Sequence, residues 1–148
     1  MVLKLYGLHA SHFVRLAAAV LIEKKVPFEF VKVDLSSGEQ RTPEFLAKNP
    51  FGLVPVIVCH PLLSLNSSPY NLLDLWLSLW LGQDDDGFIV YETRAICYYI
   101  ASKYPDQGTP LLPTGLKAST LYQQAVFVEA SHFNAHANQA TDEMIYKR

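Results

Sequence analysis

The chain has 148 residues, of which half are hydrophobic and 18% are charged, and its formal net charge is −2. This length is sufficient for one domain with a hydrophobic core, and the composition is that of a globular protein, which excludes a disordered chain. The small net charge gives no electrostatic reason to expect binding to nucleic acid or to an anionic membrane. The two cysteines lack CxxC spacing, so they predict neither a zinc site nor a dithiol redox site.

The beginning of the chain follows a strand, helix, strand pattern. Residues 2–6 predict a first strand, and no signal-peptide pattern precedes it. Ser11 can open a helix that continues to Ile22, and Pro27 ends it. The apolar run over residues 28–33 then predicts a second strand. A β-α-β unit of this kind implies two parallel neighbouring strands.

A polar loop and a short helix come next. Residues 36–41 are predominantly polar and predict a loop. Residues 42–48 predict a short helix, because Thr42 is a favourable N-cap and Pro43 fits the first helical turn.

Two further strands and a helix are predicted around an interruption. Residues 54–57 and 88–91 are rich in β-branched and aromatic side chains, and turn-forming residues directly precede the second run. A helix is predicted over residues 93–103, ending before Pro105. The element order predicts an α/β fold.

Two motifs in this region carry a family resemblance. They read Asn49-Pro-Phe-Gly-Leu-Val-Pro-Val56 and Asp86-Gly-Phe-Ile-Val-Tyr-Glu-Thr-Arg-Ala-Ile-Cys-Tyr-Tyr-Ile100. Both motifs resemble the cytosolic glutathione transferases, closest to the phi-like class of plants and fungi. The resemblance implies a thioredoxin-like N-terminal domain, β-α-β-α-β-β-α, over residues 1–104. It also implies a linker over residues 105–116 and the start of an all-α domain over residues 117–148, most of which we expect to be missing.

The resemblance implies a catalytic role for Ser11. Gly7-Leu-His-Ala-Ser11 matches the family pattern in which a serine activates the thiol of glutathione. A hydroxyl that donates to sulfur at a helix N-terminus favours the thiolate. A plain N-cap role is the alternative, and it stays open. His12 is interpreted as a solvent-facing side chain or, alternatively, as a neighbour of the electrophile.

The resemblance further implies seven glutathione-binding residues. Glu92 and Thr93 would hold the γ-glutamyl end of glutathione, and the backbone of Val54 would pair with its cysteinyl part. Two departures from the family pattern predict weakened affinity: a Glu-Gln-Arg sequence replaces the family's Glu-His-Lys loop, and an apolar residue replaces a Gln or Lys. The seven residues are Gln40, Arg41, Leu53, Val54, Pro55, Glu92 and Thr93.

The stretch between the last two predicted strands does not have the composition of a loop. Residues 58–83 contain nine leucines, both tryptophans and one charge. Hairpin loops have about 2 to 5 residues, and an apolar run that spans a bilayer needs about 20. Our hypothesis is that the stretch is a translated, unspliced intron, because Val58-Cys59 can be encoded by GTATGT and Gln83 by CAG. A functional lid or a membrane-surface patch is the alternative.

The resulting prediction is a cytoplasmic glutathione transferase that conjugates glutathione to a small electrophile. Glutathione is its co-substrate and no other cofactor is expected. His132 and His136 have the spacing of a metal pair, but no third ligand is in reach, so no metal site is predicted. Intact members of the family are homodimers. The alternatives are a non-catalytic binding or regulatory relative and an inactive product of a misassembled gene model.

Overall fold

The structure is a computed structural model that describes residues 2–60 and 87–141. The chain divides into two compact units, the first extending to Thr109 and the second beginning at Pro110.

A four-stranded sheet forms the centre of the first unit. Its strands are β1 (Val2–Gly7), β2 (Phe28–Lys32), β3 (Val56–His60) and β4 (Ile89–Tyr91), in the spatial order β2-β1-β3-β4. β1 and β2 are parallel, whereas β3 is antiparallel to both β1 and β4. This mixed sheet confirms the predicted α/β, thioredoxin-like arrangement.

Helices cover both faces of the sheet. On one face, α1 (His12–Glu23) and α3 (Thr93–Lys103) pack their apolar side chains against the strands. The short α2 (Pro43–Leu46) contributes Phe45 to a smaller cluster on the other face. The bounds of α3 are those predicted. The main core consists of Leu3, Leu5, Val14, Ala17, Leu21, Val26, Ile57, Ile96 and Ile100.

The third strand differs from the prediction at both ends. It begins at Val56 instead of Val54, because Pro55 has no N–H to donate to the sheet. It continues beyond Ile57, and Cys59 is fully buried opposite Leu3 of β1. The first three residues of the stretch that we treated as foreign, 58–60, therefore belong to the sheet. The rest of that stretch lies outside the described residues.

Residues 105–109 are attached to the C-terminal end of α1. Lys24 is 1% exposed, and its ammonium donates to the carbonyl oxygens of Pro105 (3.3 Å) and Thr109 (3.0 Å). The N–H of Thr109 donates to the carbonyl of Glu23 at 2.9 Å. We name residues 105–109 the strap. The predicted extent of the linker, residues 105–116, stays a prediction.

The second unit is one helical run. It consists of α4 (Leu116–Val128), a π-helical turn (Glu129–Phe133) and α5 (Asn134–Thr141). The start of the all-α domain that the resemblance implies is therefore helical over residues 116–141. Large apolar side chains of this run are exposed, Leu116 by 84%. Among helices in the described ranges, none combines the length and the apolar composition needed to cross a bilayer.

Candidate functional site

Three strand ends meet in one row of the sheet. Val56, the first residue of β3, pairs with Tyr6 near the end of β1 and with Tyr91 at the end of β4. Adjacent strands lie about 4.8 Å apart, so the chain segments that leave or enter these ends are neighbours. The topology thus brings three parts of the predicted site to one end of the sheet. Their residues are Ser11, Val54 and the pair Glu92-Thr93.

Ser11 occupies the N-cap position of α1 and is 9% exposed. Its carbonyl accepts from the N–H of Arg15 at 3.0 Å, which closes the first helical turn. Its hydroxyl, however, makes no capping hydrogen bond. The backbone of Ser11 therefore has the conformation of an N-cap, but its side chain does not cap the helix. Such a hydroxyl is available to a ligand at the positive end of the helix dipole.

The segment before β3 leaves a backbone position open. The Val54–Pro55 peptide is cis. Within the described part of the chain, neither the N–H nor the carbonyl of Val54 takes part in a backbone hydrogen bond. An extended peptide can pair with such groups as an added strand does. Leu53 beside it is 56% exposed and offers no polar side-chain atom.

Glu92 and Thr93 form the start of α3. Glu92 is the N-cap residue, with φ of 70° and ψ of 112°, and its side chain makes no capping hydrogen bond. A positive φ in a residue other than glycine is disfavoured and is concentrated at ligand sites. Thr93 is buried directly below it. The side chain of Glu92 is exposed, so this helix start presents a carboxylate beside the first N–H groups of α3.

The turn that carries Gln40 and Arg41 packs against the loop before β3. This 3₁₀ turn, Glu39–Arg41, lies where a polar loop was predicted. The guanidinium of Arg41 donates to the carbonyl of Phe51 at 3.4 Å. The Gln40 amide nitrogen reaches the carbonyl of Leu35 at 3.5 Å, whereas its buried amide oxygen has no partner among described residues. The turn is therefore held beside residues 51–53.

A short hydrogen-bonded network orders the start of this turn. The hydroxyl and the N–H of Ser36 donate to the carboxylate of Asp34, which lowers the pKa of that carboxyl. The N–H of Asp34 in turn donates to the carboxylate of Glu39 at 2.7 Å. These bonds connect the end of β2 to the turn that carries Gln40.

Sequence reasoning missed the role of Asn49. This residue is 2% exposed, its amide donates to the carbonyl of Leu53 at 2.9 Å, and its amide oxygen accepts from the N–H of Phe51 at 3.1 Å. The side chain thus holds both sides of the loop that leads into Val54. The Asn-Pro dipeptide is a turn signal that could have indicated this role.

Cys59 is buried and Cys97 is partly buried. Burial raises the pKa of the Cys97 thiol to about 11, and the nearby Arg94 offsets this effect only in part. Cys97 is therefore a thiol at neutral pH. Neither Cys97 nor Cys59 forms a disulfide.

Solved structures and a family model both match this chain. The fold matches that of solved glutathione transferases. The crystal structure of glutathione transferase F7 from Populus trichocarpa superposes with a TM-score of 0.76 at 30% sequence identity, and the match covers 98% of this chain and 56% of that one. The family model "Glutathione S-transferase, N-terminal domain" matches residues 10–103. The chain belongs to the glutathione S-transferase family.

Two curated relatives support the phi-like assignment. Glutathione S-transferase hmp2 of Hypomyces subiculosus is 36% identical over 150 residues, which cover all of this chain and 57% of the relative. Glutathione S-transferase 3 of Zea mays is 36% identical over 145 residues, covering 98% of this chain and 53% of the relative. The chain therefore spans about half the length of the curated relatives it matches.

Proposed function

We propose that this chain binds glutathione at the end of the sheet and activates its thiol for conjugation to electrophiles. The hydroxyl of Ser11 donates a hydrogen bond to the sulfur, which stabilises the thiolate at the N-terminus of α1. The thiol proton is released to water. The sulfur then forms a bond to the electrophilic carbon with its own electron pair, and a leaving group such as chloride departs with the electrons of the broken bond.

The side chain of Ser11 carries this proposal. A residue whose only task is to cap α1 would use its hydroxyl on the first helical N–H groups. The hydroxyl of Ser11 makes no such bond. It lies at the end of the sheet where the backbone of Val54 is open, so one bound thiol peptide can contact both residues.

The remaining predicted residues have matching tasks in this proposal. The helix start at Glu92 and Thr93 holds the γ-glutamyl end, and the backbone of Val54 pairs with the cysteinyl residue. Gln40 and Arg41 approach the glycyl carboxylate from the neighbouring turn. Pro55 positions the backbone of Val54 and makes no side-chain hydrogen bond to glutathione. The apolar side chain of Leu53 makes no hydrogen bond to glutathione either.

Location and assembly are part of the proposal. Two unpaired cysteines are usual in a reducing compartment, which supports a cytoplasmic protein. Homodimerisation is proposed because intact members of the family dimerise and Phe51 is exposed in the loop before β3.

Calorimetric titration with glutathione, together with conjugation assays on Ser11→Ala, tests the proposed function. We expect Ser11→Ala to bind glutathione but to lose most of the conjugation rate. Ser102→Ala, a change at an exposed serine of α3, is the matched control and should keep the rate. Conjugation that does not depend on Ser11 would remove this mechanism. Binding without conjugation in the unmodified chain would favour a non-catalytic relative.

A further inference from the structure

Two imidazole side chains and one guanidinium lie within four residues of Ser11 along the chain. His9 and His12 flank it in sequence, and both are exposed. The ring of His9 stacks on Phe30 with centroids 4.0 Å apart, and that of His12 lies 3.9 Å from the ring of Phe13. The His9 ring is stacked on Phe30 of β2, whereas the His12 ring is tilted against that of its neighbour Phe13.

Arg15 places a fixed positive charge on the same loop. Its guanidinium donates to the carbonyl of Ala10 at 2.7 Å, which fixes it one residue from Ser11 along the backbone. Within the described ranges, Arg15 has no acidic partner. A guanidinium stays charged at every relevant pH and has further N–H donors to offer. We name Arg15, together with the neighbouring rings of His9 and His12, the cationic rim, and its positive charge is that of Arg15.

The acidic side chain of α1 lies far from the cationic rim, whereas the exposed carboxylate of Glu92 lies at the same end of the sheet. The first acidic residue of the chain is Glu23, at the opposite end of the twelve-residue α1, about 18 Å from its start. Lys32 ends the strand beside β1, opposite Gly7. The carboxylate of Asp34 beyond it is occupied by Ser36 and Ser37. The positive end of the α1 dipole acts in the same direction as Arg15.

We propose that the cationic rim makes this site selective for electrophiles that carry an anionic group, such as an aromatic carboxylate. This inference rests on the proposed function, because it concerns the group that is joined to the sulfur held by Ser11. An anion next to the thiolate is repelled by it. A guanidinium and imidazole donors beside Ser11 offset that repulsion, whereas a neutral electrophile gains nothing from them.

A pair of conjugates measures this selectivity without turnover. S-Benzylglutathione and S-(4-carboxybenzyl)glutathione differ by one carboxylate on the ring, so the ratio of their dissociation constants isolates the charge. Calorimetry on the full chain should show about three-fold or tighter binding of the carboxylate conjugate, as expected for one solvent-exposed ion pair. The preference should shrink as salt is added.

Three variants test whether the charge of Arg15 causes the preference for the carboxylate conjugate. Arg15→Gln should bring the ratio close to one, and Arg15→Lys, which keeps the charge, should restore it. Lys25→Gln is the matched control, because it removes an exposed cation at the far end of α1. A ratio of one in the unmodified chain, or a ratio that Arg15→Gln leaves unchanged, overturns the selectivity while the proposed function stands. If neither conjugate binds, the proposed function fails and the selectivity with it.

Discussion

The side-chain amide of Asn49 donates to the carbonyl oxygen of Leu53 at 2.9 Å, and Asn49 is the most deeply buried polar residue near the site. Asn49→Ala removes this bond and the one to the N–H of Phe51. We therefore expect the free energy of unfolding to fall by about 1 to 3 kcal/mol. Glutathione affinity should fall as well, because the loop before Val54 loses its support.

Chemical denaturation and calorimetry measure the two effects of Asn49→Ala. The control is Gln123→Ala, which truncates an exposed amide on α4 and should change neither. Unchanged stability together with unchanged affinity would show that Asn49 does not organise this loop.

Leu53→Gln should tighten glutathione binding. Leu53 is exposed in the loop before β3, and the resemblance places a Gln or Lys there. The new amide adds a hydrogen bond to the ligand, for which we expect about a five-fold gain in affinity. Leu116→Gln, the same change at an exposed leucine of the second unit, should give no gain. Equal dissociation constants for Leu53→Gln and the unmodified chain would discredit the assigned role of this position.

Features that neighbouring residues determine could be predicted from the sequence, whereas features that depend on contacts with distant parts of the chain could not. The bounds of α3 agree with the prediction because an amphipathic run and Pro105 define it locally. The end of β3 could not be predicted, because Val58 and Cys59 become strand residues only by pairing with β1. Their apolar neighbours up to residue 83 suggested a separate segment instead.

The environment of polar side chains also depends on distant contacts, so the sequence did not predict it. Lys24 follows an amphipathic helix, where a solvent-exposed cation near the helix end is expected, yet it is buried by carbonyls more than 80 residues away. Ser11 and Glu92 could be placed at helix starts from local signals. The absence of capping bonds from their side chains could not be read from the sequence, because it depends on the conformation that tertiary packing imposes.

Lys24→Met should destabilise the first unit. The change keeps an apolar stem of similar length but removes two part-buried hydrogen bonds from a charged donor to the strap, which costs about 1 to 3 kcal/mol. Lys25→Met alters an exposed lysine one residue away and is the matched control. Similar unfolding midpoints for both variants would contradict the role of Lys24.

Gly108→Ala tests the strap independently. Gly108 has φ of 63°, and an added Cβ would lie 2.1 Å from the carbonyl oxygen of Glu23. The strap would have to detach, so amide hydrogen exchange of Thr109 should accelerate. Gly38→Ala also changes a glycine with positive φ but meets open space, so Thr109 should exchange as in the unmodified chain. Continued protection of Thr109 in Gly108→Ala would contradict the geometry.

The raised pKa of the Cys97 thiol should make the free energy of unfolding depend on pH in the alkaline range. Its pKa is raised to about 11 in the folded chain, against 9.0 for an unperturbed thiol. Folding therefore favours the protonated form, and this contribution, about 3 kcal/mol, is complete below pH 9 and is lost as the pH rises through about 11.

Cys97→Ala and Cys97→Ser both remove the ionisable thiol. Denaturation between pH 9 and pH 11 should show a smaller loss of stability in these variants than in the unmodified chain. If all three chains lose stability equally over this range, burial does not control the ionisation of Cys97.

The activation of a bound thiol by Ser11 is the central claim, and the thiol pKa of bound glutathione measures it most directly. Ultraviolet absorbance of the thiolate, followed against pH in the complex, gives this pKa. We expect a value lower than that of free glutathione by about one unit or more, and a return toward the free value in Ser11→Ala. A bound thiol whose pKa equals that of free glutathione, or a lowered pKa that survives in Ser11→Ala, would contradict the account.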